Sequence, residues 1–145
     1  MAARIRKLVD RGGVAISIQG LDEAIRVLER LKRHPEKRLK ETFRSEAGKI
    51  LKRAKSLTPV DTGRLRDSGR LIEVKDGIAI AFGGMIVRGV DVDYAVYVHE
   101  RTDQHHKVGQ AKFLDRAVRE ARGRVGKAIS DKMKADIGAE IRREF

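Results

Sequence analysis

The sequence predicts an α+β fold: a small antiparallel β-sheet, made of an N-terminal strand plus a central hairpin, packed against a long N-terminal helix and a long C-terminal helix. Three observations predict it. Leu39, Phe43, Ala47, Ile50, Ala54 and Leu57 recur in steps of three and four, which places one apolar stripe on a helix. Leu114, Val118, Ala121, Val125, Ile129, Met133, Ile137 and Ile141 do the same toward the other end. Between them, residues 71–75 and 78–82 flank Asp76-Gly77 with alternating apolar side chains. Such a pair tolerates the positive φ of a two-residue hairpin turn.

Residues 1–13 are charged and lack the apolar stretch of a signal peptide, so they are expected as a flexible arm. Val14-Ala-Ile-Ser-Ile18 alternates as a strand does, and Gly20 stops it. Asp22 and Glu23 suit the positive end of a helix that carries Leu21, Ala24, Ile25, Leu28 and Leu31 at helical spacing. His34-Pro35 breaks or kinks it, because proline lacks a backbone donor. The second helix ends at Thr58-Pro59. Val60-Asp-Thr-Gly63 reads as a turn, with Asp61 a candidate cap for a short helical segment, residues 62–68, that Gly69 ends.

After the hairpin, Gly83-Gly84 breaks the chain, and Met85-Ile-Val87 with Val90-Asp-Val92 reads as a continuation into a third strand. Tyr94-Ala-Val-Tyr-Val98 fits either a strand or a helix, and residues 101–110 read as a polar loop. Within the last helix, Gly123, Gly126 and Gly138 each cost up to about 1 kcal/mol and mark a bend or a close approach to a neighbour.

The length, 145 residues, is that of one domain, large enough to bury a real core. With no Cys, disulfide scaffolds, thiolate zinc sites and cysteine nucleophiles are excluded together. No apolar run has the length of a membrane span. The formal charge is +12 and is unevenly placed. Residues 1–57 hold sixteen basic and seven acidic side chains, a balance of +9. Residues 58–110 balance at −1 and residues 111–145 at +4. The excess lies on helices, where it either meets a polyanion or acidic partner or simply solvates exposed faces.

Catalytic patterns are weak. Asp61-Thr62-Gly63 matches the aspartic-protease tripeptide, but that chemistry needs two carboxylates sharing a proton and this chain holds one copy. His99-Glu100 begins a His-Glu-x-x-His motif, but position 103 is Asp. A looser set of His99, Asp103, His105 and His106 has the donor types for a divalent metal, against the plainer reading of an exposed polar loop. Arg64, Arg66 and Arg70 have the chemistry to grip phosphate, yet no Gly-rich phosphate loop accompanies them. No nucleophile–base–acid set assembles, so no enzymatic activity, cofactor or metal is expected.

Three segments together carry a resemblance. They are Ala47-Gly-Lys-Ile-Leu-Lys-Arg-Ala-Lys-Ser-Leu-Thr-Pro-Val-Asp-Thr-Gly-Arg-Leu-Arg-Asp-Ser68, Tyr94-Ala-Val-Tyr-Val-His-Glu100 and Gly109-Gln-Ala-Lys-Phe-Leu-Asp-Arg-Ala117. With Ile18-Gln-Gly-Leu-Asp-Glu23 ahead of them, the chain resembles a family of tailed-phage neck proteins, described as tail-completion, minor capsid or putative tail components. The resemblance covers residues 14–120, and Thr-Pro-Val-Asp-Thr-Gly-Arg-Leu is its most specific part. The family's Glu-Phe-Gly-Thr is replaced here by His99-Glu-Arg-Thr102.

The resemblance implies an α+β structural protein of the virion neck, made in the host bacterial cytoplasm. It implies a homo-oligomeric ring, of six-fold symmetry in the family, that joins the finished tail to the DNA-filled head. The implied partners are other copies of the chain, a head-side connector or stopper, and a tail-side terminator or tube protein, with DNA passing nearby. No membrane and no small-molecule substrate are implied. Thr58, Pro59, Asp61, Thr62, Gly63, Arg64, Leu65 and Arg66 then form a fold-setting turn, with Arg64 or Arg66 open to a subunit contact. Tyr94, Tyr97, Glu100, Lys112, Phe113 and Leu114 are packing or partner residues, the two Tyr read first as packing and Phe113 and Leu114 as core anchors. The loop with Arg101, Asp103, His105 and His106 is the expected segment that orders on assembly. Two other readings stand beside this one: a tail terminator, and a basic nucleic-acid-binding protein.

Overall fold

A computed structural model describes residues 3–30, 36–103, 106 and 108–144. Its elements are α1 (Ala3–Asp10), β1 (Val14–Gln19), α2 (Leu21–Arg30), α3 (Glu36–Leu57), α4 (Arg64–Asp67), β2 (Arg70–Val74), β3 (Gly77–Phe82), β4 (Met85–Val87), β5 (Val90–Val92), α5 (Ala95–Glu100) and α6 (Phe113–Glu144). The class is the expected α+β, with the N-terminal strand and the central hairpin in one antiparallel sheet of order β1-β3-β2. The expected break at His34-Pro35 and the apolar position Leu31 lie outside the described residues.

Strand β3 explains the layering. It is buried along its whole length, and its large and small residues alternate: Ile78, Ile80 and Phe82 against Ala79 and Ala81. Successive strand residues point to opposite faces. The large set joins the main core with Leu39, Phe43, Ala47, Ile50 and Ala54 of α3 and Leu114, Ala117 and Ala121 of α6. The alanine face is shallow, and α1 lies over part of it with Ile5 and Leu8 buried.

Residues 3–10 are therefore not an arm. Ile5 and Leu8, three residues apart, give α1 one apolar side, and the end of the helix is tied back on itself. The Gly13 N–H donates to Leu8 O (3.0 Å) and the Gly12 N–H to Val9 O (3.0 Å). These two bonds form a Schellman stop.

Two turns differ from expectation. The β2–β3 loop is Lys75-Asp76, because Val74 pairs with Gly77. Asp76 does not enter the left-handed region, and the glycine serves close approach instead: a Cβ on Gly77 would stand 1.8 Å from Ile18 O. The turn with positive φ at both positions is Arg88-Gly89 (49° and 76°). It pairs Val87 with Val90, so β4 and β5 form their own two-stranded hairpin rather than a third strand of the main sheet. The ambiguous run 94–98 is largely helical, in α5.

Helices α3 and α6 run antiparallel. The Arg53–Glu120 (2.7 Å), Arg124–Glu46 (3.4 Å) and Arg38–Asp136 (3.2 Å) pairs fix their register. Within α6, a Cβ on Gly123 or Gly126 would meet nothing within 4 Å, so no close approach explains either glycine. Among the described residues no helix is long and apolar enough to cross a membrane.

Candidate functional site

The end of α3 is set by Thr58. Its side chain is fully buried, and its hydroxyl donates to Ala54 O (2.8 Å). Pro59 then takes the chain off the helix axis. The incoming loop from α5 is laid against this corner. Gln110 N–H donates to Leu57 O (2.9 Å) and Val60 N–H to Val108 O (3.4 Å). Gly109 makes the approach possible: its φ is +83°, and a Cβ there would lie 2.5 Å from Thr58 O.

The turn beyond Pro59 is held differently from the expectation. Asp61 caps nothing: its side chain is exposed, and α4 begins after Gly63 at φ +78° with no side-chain cap bond. Thr62 Oγ1 lies 3.5 Å from the Arg64 N–H, at the limit of a hydrogen bond. The stronger restraint comes from Arg88, which donates to Thr62 O (2.9 Å) and pairs with Asp67 (3.1 Å). Leu65 is buried, and its carbonyl accepts the Ser68 hydroxyl (2.5 Å). Ser68 Oγ in turn accepts the Gly83 N–H (2.8 Å).

Arg64, Arg66 and Arg70 do not converge on a phosphate. Arg66 pairs with Asp67 (3.4 Å), and Arg70 donates to Ser68 O and Gly83 O (3.0 Å each). Ser68, Arg70 and Arg88 thus carry the turn geometry, and only the arginine count hinted at them in the sequence.

The loop from α5 to α6 is clamped at its base. His99 O accepts the Lys112 N–H (2.7 Å), with Lys112 itself at φ +54°. Glu100 pairs with the Lys112 ammonium and receives His99 Nδ1 at 2.9 Å. The Lys112 hydrogen bond, then the His99 contact, hold the Glu100 carboxyl below its ordinary value. His99 is buried edge-on to Phe113 (5.1 Å), which stands edge-on to Phe82 (5.0 Å). Phe113 and Leu114 are fully buried core anchors, as expected.

Glu100 and Lys112, read as packing or partner residues, pair with each other and stay partly exposed. Of the loop expected to order on assembly, the first described residues are joined to each other and to α5. Arg101 grips Asp103 (2.7 and 2.8 Å) and donates to the Tyr97 hydroxyl (2.8 Å), its guanidinium 5.0 Å above the Tyr97 ring. His105 lies outside the described residues. Among the described residues no three His, Asp or Glu side chains come together as metal ligands. His99 is spent in the core, Asp103 on Arg101, and His106 sits elsewhere.

His106 faces a groove of about 510 Å³, and this groove is the candidate site. It is lined by residues 59–65, by Tyr94, Tyr97 and Val98, and by Val90, His106 and Val108. Residues 59–65 and 94–98, far apart in sequence, meet here with Val108 of the loop that leads to α6. Tyr94 packs partly into the core, as read, but Tyr97 does not: it is 51% exposed. With Val90 (40%) and Val108 (55%) it makes an apolar rim. Arg64 Nε and His106 Nε2, on two residues of the lining, are buried with no hydrogen-bond partner among the described residues. The groove thus combines an open apolar rim with buried, unpaired nitrogens. Comparison with protein-family models, with curated proteins and with solved structures gives no match.

Proposed function

We propose that this chain is a structural subunit of the neck of a long-tailed phage or related particle, joining the tail to the DNA-filled head. One observation carries the reading. Two of the three segments that carry the resemblance to neck proteins, at residues 59–65 and 94–98, line a single groove with Val108 just ahead of the third; the groove has an exposed apolar rim and buried nitrogens with no partner among the described residues. A ring subunit needs such a surface, because head-to-tail contacts that close by rotation join two different patches. The groove is one patch. Arg64 and His106 are its polar anchors, and Tyr97, Val90 and Val108 are the apolar area that a neighbour covers. The role assigns no catalysis and no cofactor to Asp61 or His99.

The test is negative-stain electron microscopy of lysates from the parent element with the gene deleted. Filled heads beside free tails of normal length, rescued by the wild-type gene but not by Tyr97→Asp/Val108→Asp, are expected. Both substituted side chains are exposed, so circular dichroism of the variant should match wild type. Normal infectious particles from the deletion overturn the reading. Heads beside tails of uncontrolled length would move the chain to the terminator position.

A further inference from the structure

The positive charge is unevenly neutralised. On α3 and α6 the cations mostly meet carboxylates: Arg53 and Arg116 on Glu120, Arg119 on Asp115, Lys127 on Asp131, Lys49 and Arg124 on Glu46. On α1 they do not. Arg4 and Lys7 are exposed and have no acidic partner among the described residues. They share one side of α1, rising about 4.5 Å from one to the next, with Arg11 following.

Across a cleft of about 470 Å³ from these three stands Arg70. Burial pushes the Arg70 guanidinium pKa down, and its hydrogen bonds go to two carbonyls, with no carboxylate partner among the described residues. The carboxylates nearby are committed or turned away. Asp91 holds Arg11 (3.2 Å), Glu73 is held by Arg44 (3.1 Å), and Asp10 does not line the cleft.

We infer that α1 and Arg70 form a binding surface for the phosphate backbone of duplex DNA, independent of base sequence. Closely spaced cations set against a desolvated guanidinium suit phosphate oxygens. The rest of the lining is Leu8, Leu71, Ile72, Gly84 and Glu73, whose carboxylate Arg44 holds, with no aromatic ring on which a base could stack. Contact is therefore with backbone alone, which fixes position and reads no sequence. An anionic membrane is the weaker fit. A helix that lies on lipid inserts its apolar side, and Ile5 and Leu8 are already buried in this chain. The inference does not depend on the neck reading, since an isolated subunit carries the same surface.

The test uses the purified full chain and a fluorescein-labelled duplex of mixed sequence, read by fluorescence anisotropy over a salt series. Wild type should bind with log affinity falling against log salt by about 0.9 for each phosphate neutralised. Arg4→Gln/Lys7→Gln should weaken binding at least tenfold at low salt and flatten the slope by about 2. The charge-preserving Arg4→Lys/Lys7→Arg should bind as wild type does. Arg119→Gln/Lys127→Gln on α6 should change affinity less than twofold. No binding by wild type at low salt, or an equal loss in the α6 variant, overturns the inference. Tighter binding to phosphatidylserine vesicles than to the duplex, lost in the same α1 variant, would replace DNA with a membrane.

Discussion

The Asp76 carboxylate accepts the backbone N–H of Asp22 at 2.8 Å, and that of Gly20 at 3.1 Å, so the β2–β3 turn caps the first turn of α2. A helix start leaves several N–H groups without intrahelical partners, and here the cap comes from a strand turn 54 positions away from Asp22. The two backbone hydrogen bonds, Asp22 first, hold the Asp76 carboxyl below its ordinary value of 3.8.

Asp76→Ala should therefore lower Tm by about 2–4 °C, the size of a lost cap in a chain of this length, with Asp76→Asn retaining part of it. The depressed pKa sets the sign of the pH effect. The cap contributes its full stability above the ordinary Asp value and loses it as pH falls through the folded value. The gap in Tm between wild type and Asp76→Ala should narrow below about pH 4. A gap that is constant with pH would mean that the carboxylate is not the cap.

The docking of α1 makes a second prediction. Leu8 is buried against the sheet, so Leu8→Ala should cost about 2–5 kcal/mol in urea unfolding. In a free arm the same change would cost almost nothing. Ala81 is fully buried on the shallow face, and Ala81→Leu should cost about 1–3 kcal/mol by overpacking.

These two residues also show what the sequence could tell. The long helices were legible because α3 and α6 keep their apolar steps over many turns, and one stripe of that length has few alternatives. Helix α1 was hidden because it has only Ile5 and Leu8 to show among charges. Asp76-Gly77 was misleading because Asp-Gly is a strong turn signal, yet Gly77 is needed for the passage of Ile18 O. The true positive-φ turn uses Arg88, which propensity does not favour. Its reward is a clamp on Thr62 and Asp67, a tertiary gain that local reasoning cannot see. The groove was half legible: its segments were recognisable one by one, but no spacing says that Gly109 lies on Thr58.

That contact carries a third prediction. Gly109 has φ +83°, and a Cβ would stand 2.5 Å from backbone atoms of Thr58 and Pro59. Gly109→Ala must therefore lift the loop or shift the end of α3, at a cost of about 1–3 kcal/mol. The groove should open with it, because Val108 leaves the wall. Limited proteolysis should cut the variant within residues 101–110 faster than wild type. Unchanged proteolysis and stability would show that the loop is not seated on Thr58.

The pairing of α3 with α6 is testable through Glu120. Its carboxylate takes two hydrogen bonds from Arg53 (2.7 and 3.2 Å) and one from Arg116 (3.0 Å). Arg53 first, then Arg116, lower its pKa to about 2. A depressed carboxyl stabilises the fold above its ordinary value of 4.5, and that contribution disappears as pH falls through about 2. Glu120→Gln lacks the charge at every pH, so it should be less stable than wild type at neutral pH, with the difference shrinking below pH 4.5 and vanishing only below about pH 2. Because the groups are exposed, 1 M salt should shrink the neutral-pH difference. An NMR titration of the Glu120 carboxyl checks the cause directly. A midpoint near 4.5 would mean that Arg53 and Arg116 do not hold it in solution, and the α3–α6 register would then rest on the apolar stripe alone.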